Sequence, residues 1–128
     1  MKISFAKPGM PGAGTVVVFA LEKGVLTKSA QALDHKIKGA LKRAIKSGRF
    51  EGKKGQTLSI LAPAGARIDR VLLVGLGKPD EITDTEMESS GGKIYTETHR
   101  DKAGDAVVLL DAVAGAKLRP WEMASRMA

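Results

Sequence analysis

Thr15-Val16-Val17-Val18-Phe19-Ala20 is an apolar, largely β-branched run with no polar residue alternating through it. A strand with one wet face alternates apolar and polar side chains. A strand without alternation is buried on both faces, as in a sheet covered by helices on each side. Val71-Leu72-Leu73-Val74 and Ala106-Val107-Val108-Leu109-Leu110 have the same character. Three such runs in 128 residues predict an α/β domain built on a central sheet.

The segments between these runs supply the helices and the outer strands. Ile3–Ala6 and Gln56–Leu61 alternate and read as strands. Pro8, Gly9, Pro11, Gly12 and Gly14 make a loop before the first buried run. Leu33, Ile37, Leu41 and Ile45 recur every four residues, which predicts one amphipathic helix capped by Thr27 or Ser29 and stopped at Gly48. Thr83 and Glu86 have the spacing of a capping box for a second helix, with Ile82 and Met87 as its hydrophobic staple. Gly91-Gly92 inside that helix costs about 1 kcal/mol each relative to alanine, so tight packing against another backbone is expected there. Pro120 suits the first turn of a third helix, which puts Trp121, Ala124 and Met127 on one face. That pattern breaks off without a cap at Ala128, as it would near an interdomain linker. The expected architecture is one domain over residues 1–128, a three-layer sandwich with a mixed, mostly parallel sheet between helices.

Composition excludes several chemistries. Cysteine is absent, which removes disulfides, thiolate metal sites and a cysteine nucleophile. Two histidines, His35 and His99, cannot build a multi-histidine metal centre. No signal peptide follows Met1, and apolar runs fall far short of the roughly 20 residues that cross a bilayer. A cytoplasmic protein without a membrane contact is expected. The carboxylates are scattered, and no serine has a partnered histidine and aspartate in a known order. His35 beside Asp34 reads as a solvated surface pair, and His99 likewise. Gly75-Leu76-Gly77-Lys78 follows a buried strand as a phosphate loop would. It lacks the longer glycine loop, and Pro79 stands where a magnesium-binding hydroxyl belongs, so a tight structural turn is expected.

The charge has more structure. The chain carries 21 basic and 14 acidic residues, a net +7. Nine of the basic residues fall between Lys28 and Lys54, opposed only by Asp34 and Glu51, so this stretch alone holds the whole surplus. Lys36, Lys38, Lys42, Arg43, Lys46, Arg49, Lys53 and Lys54 are the candidate polyanion-binding residues. A solvated face that keeps the protein soluble is the plainer reading. Phe50 is the one aromatic residue interleaved, so any nucleic-acid contact would be phosphate-driven and independent of sequence.

Four stretches carry a family resemblance: Ala32-Leu33-Asp34, Gly39-Ala40-Leu41, Gly48 through Leu58, and Arg70-Val71-Leu72-Leu73-Val74-Gly75-Leu76-Gly77-Lys78. In order and spacing they resemble the N-terminal domain of leucyl (cytosol) aminopeptidases, from Met1 to about Lys117. The resemblance implies a macro-domain-like fold. It implies a parent enzyme that is a cytosolic homohexamer and removes N-terminal residues, typically leucine, using two divalent ions, Mn²⁺ or Zn²⁺. Ligands and catalytic residues would belong to a larger C-terminal domain, so none transfers onto this chain. The N-terminal domain would shape access to the active sites and contact neighbouring subunits. DNA binding by some bacterial relatives and ADP-ribose binding by macro domains stand as alternatives.

Overall fold

The computed structural model describes residues 3–6, 14–48, 50–65, 68–100, 106–109 and 120–127. Its strands are β1 (Ile3–Ala6), β2 (Thr15–Leu21), β3 (Val25–Leu26), β4 (Thr57–Leu61), β5 (Arg70–Gly77) and β6 (Ala106–Leu109). Its helices are α1 (Lys28–Lys36), α2 (Ala40–Lys46), α3 (Asp84–Arg100) and α4 (Pro120–Met127). The sheet runs β1-β6-β2-β5-β4, with β3 paired to β2 off that path. β1, β6, β2 and β5 are mutually parallel, and β4 joins β5 antiparallel.

The uninterrupted run at β2 lies at the middle of the sheet, flanked by β6 and β5, with both faces covered. Val16, Val18 and Ala20 join Val71 and Leu73 in one core, closed by Leu33, Ile37 and Leu41 from the segment carrying α1 and α2. Val17 and Phe19 join Leu72, Val74 and Leu76 in the other, closed by Met87 and Ile94 of α3 and Met127 of α4. Each fully buried aliphatic or aromatic side chain contributes about 1.5–3 kcal/mol. The three-layer sandwich with a mixed, mostly parallel sheet is therefore the fold observed.

The single helix expected between Thr27 and Gly48 is instead two. Ile37 leaves the helical region, and Lys38 and Gly39 take left-handed backbone angles, φ 61° and 76°. Asp34 explains the break. It is buried, and its Oδ1 accepts hydrogen bonds from the amides of Leu41 at 2.7 Å and Lys42 at 3.4 Å. A carboxylate on those free amides caps α2 from the preceding helix. Asp34 is thus no surface partner of the exposed His35. The expected hydroxyl cap on α1 is also absent. Thr27 holds the capping position, but its Oγ1 donates to the Phe19 carbonyl at 3.1 Å.

Thr83 does cap α3, accepting from the Glu86 amide at 3.3 Å. Close packing is found at Gly91, where a Cβ would lie 2.3 Å from the Met127 carbonyl oxygen, and not at Gly92, which has open space.

Candidate functional site

The structure divides the basic segment in two. Lys36 ends α1, Lys38 lies in the α1–α2 break, and Lys42, Arg43 and Lys46 lie on α2. All five are exposed. Lys42 and Lys46 are one helical turn apart and share a face. Among the described residues no carboxylate lies within ion-pair distance of these five. Arg43 folds back, its Nη1 donating to the Lys38 carbonyl. These cations therefore form an unopposed surface about the α1–α2 junction.

Lys53 and Lys54 are different. Lys53 lies 2.9 Å from Glu51, and the hydrogen bond and charge of that carboxylate raise its pKa above the usual lysine range. Lys54 reaches Glu86 on α3 at 3.4 Å. Both are already answered by a carboxylate. Arg49 lies outside the described residues. Phe50 is fully buried in the core with Leu33 and Leu41, so it offers no ring for stacking on a base.

The loop carrying Lys53 and Lys54 lies across the C-terminal ends of two central strands. Gly52 accepts a hydrogen bond from the Gly77 amide at 3.0 Å, and Glu51 accepts one from Gly24 at 3.0 Å. Gly55 donates to Gly75, which in turn donates to Gln56. The approach is close enough that a Cβ on Gly75 would lie 2.1 Å from the Lys53 carbonyl oxygen, and one on Gly52 2.0 Å from that of Leu21. Gly75 therefore lies within a strand and not in the expected turn, while Gly77, at φ 76°, is the last residue of that strand before the chain bends at Lys78. The register of β5 against β2 shifts by one residue between Ala20 and Leu21. In open α/β sheets the crevice beyond the C-terminal strand ends is the usual ligand site. Beyond β2 and β5 this chain places its own loop there.

The other candidates do not converge. Lys78 is exposed at the start of the turn after β5, and the side chain of His99 lies outside the described residues. No group of three or more His, Asp or Glu residues is placed to hold a metal ion among the described residues. None of the described helices is long and apolar enough to cross a membrane. An open groove of about 630 Å³ runs between α3 and α4, lined by Gly91, Gly92, Tyr95 and Met127 among others. Sequence reasoning missed the cap at Asp34 and the groove. Gly39 signals the first, because glycine accepts the left-handed backbone that ends a helix, whereas nothing local signals the second.

The sequence pattern of the cytosol aminopeptidase family, N-terminal domain, matches residues 16–128. A probable cytosol aminopeptidase of Pseudomonas syringae pv. tomato is 36% identical over 97 residues, covering 76% of this chain and 20% of that protein. One from Chelativorans sp. is 33% identical over 123 residues, covering 96% and 24%. The chain thus spans about a quarter or less of these relatives. Among solved structures, the macrodomain of Mycobacterium tuberculosis DarG superposes with a TM-score of 0.69 at 13% identity, over 98% of this chain and 86% of that one. A mutant of tomato leucine aminopeptidase gives 0.66 at 22%, over 98% and 26%. Both likenesses show the macro-domain-like fold.

Proposed function

Because the chain belongs to the cytosol aminopeptidase family, as its N-terminal domain, we propose that it is the accessory module of a metal-dependent leucyl aminopeptidase. Hydrolysis of N-terminal residues, leucine preferred, belongs on this reading to a larger C-terminal catalytic domain of the same polypeptide. The whole enzyme would be a cytoplasmic homohexamer. The module, residues 1–128, would help shape access to the active sites and hold neighbouring subunits.

The observation that carries this reading is the family match over residues 16–128 in relatives about four times as long. The two divalent ions implied for the parent, Mn²⁺ or Zn²⁺, find no fitting donor set among the described residues. Asp34 is committed to a helix cap, and Glu51 and Glu86 face lysines. No step of the hydrolysis is therefore assigned to these residues. The test is direct. The purified chain should not hydrolyse leucine amides with added Mn²⁺ or Zn²⁺, and should bind neither ion stoichiometrically in calorimetry. Metal-dependent turnover would overturn the division of labour.

A second reading rests on the unopposed cations at the α1–α2 junction, which suit a polyanion such as DNA. The ADP-ribose reading has less support, because residues 51–55 cover the strand ends where such a ligand would enter.

A further inference from the structure

The edge strand β4 has unused pairing capacity with a defined geometry. Among the described residues it pairs only with β5. Gln56 accepts a hydrogen bond from Gly75, and Ala62 donates to Asp69, so even-numbered residues bond toward β5. Antiparallel ladders alternate, so Leu58 and Ile60 also bond toward β5. Thr57, Ser59 and Leu61 then present their N–H and C=O groups outward. The strand reads Thr-Leu-Ser-Ile-Leu, with no charge, proline or bulge to discourage a neighbour. Leu61 is 71% exposed on the sheet face opposite Leu58 and Ile60, which pack into the core under α1 and α2.

We infer that β4 pairs antiparallel with β4 of a second copy of this chain, about a two-fold axis through Ser59. The outward-facing residues match in this register. Ser59 meets its own copy and Thr57 meets Leu61, each as a pair exchanging two backbone hydrogen bonds. Leu58 meets Ile60 in the closer, non-bonded pairs, aliphatic against aliphatic. The pairing is isologous, as a two-fold dimer requires, and it brings no like charges together within the strands. A five-residue ladder buries less than the roughly 1,200 Å² of a stable interface, so the dimer is weak and concentration-dependent. Net charge of +7 on each copy opposes it, so added salt strengthens it. This inference rests on the register of β4 alone and not on the aminopeptidase reading.

Sedimentation velocity over a range of loading concentrations tests it, with circular dichroism to confirm folding. Thr57→Glu with Leu61→Glu sets like charges opposite each other in both outer pairs and should weaken the dimer. Thr57→Glu with Leu61→Lys sets opposite charges there and should restore it. Two such pairs separate the variants by about tenfold in dimer Kd. A wild-type chain that stays monomeric to millimolar concentration at high salt would overturn the inference. So would equal dimerisation of the two folded double variants.

Discussion

Oδ1 of Asp34 lies 2.7 Å from the amide nitrogen of Leu41, tying the end of α1 to the start of α2 across the break between them. Both residues are buried, at 1% and 0% exposure. Replacing Asp34 by alanine removes the cap and leaves buried amides without their acceptor. The expected loss is about 2 kcal/mol. Asp34→Asn keeps an oxygen in place and should cost less. Urea unfolding of the two variants checks the order. Equal stability of Asp34→Ala and wild type would show that the break does not depend on the cap.

Gly91 and Gly92 are neighbours with opposite roles. Gly91→Ala drives a Cβ into the backbone of Met127 and should destabilise by about 1–3 kcal/mol, loosening α4. Gly92→Ala meets nothing and should stabilise α3 by about 0.5–1 kcal/mol. Thermal melting separates the two, and hydrogen exchange should show faster exchange in α4 only for the first.

The loop over the strand ends makes a similar prediction. Gly75→Ala places a Cβ against the Lys53 carbonyl, with backbone on both sides of the clash, and should cost about 1–3 kcal/mol. With that loop in place, ADP-ribose should leave the melting temperature of the wild-type chain unchanged. A saturable upward shift with ADP-ribose would show that the loop yields to a ligand.

Polyanion binding, if the α1–α2 surface performs it, should weaken steeply with salt and vary little with DNA sequence. Lys42→Ala with Lys46→Ala should lower the salt slope by about one for each phosphate no longer neutralised. Lys53→Ala should change it less, because Glu51 already faces that ammonium. Fluorescence anisotropy over several salt concentrations measures all three. Equal effects from Lys42 and Lys53 would mean that the ion pair does not screen the loop.

The layering is legible in the order of amino acids alone. β2, β5 and β6 are runs without polar alternation, and such runs are stable only where both sheet faces are covered. The match at Gly48–Leu58 and Arg70–Lys78 likewise carried the family, because motif and spacing are local properties. Folding decides the rest. The four-residue repeat from Leu33 to Ile45 reads as one helix, since periodicity records which side chains face the core and not whether the backbone is continuous. Asp34 takes its role from its burial and its contact with Leu41, neither of which is a local property. The nine basic residues make one charge total, but which of them stay unopposed depends on Glu86, more than 30 positions away in sequence and adjacent only after folding. Gly75 and Gly77 look like a turn because glycine permits one. Gly75 instead lies inside β5, where the backbone of residues 52–53 approaches closer than a side chain would allow, and Gly77 ends that strand with φ 76°.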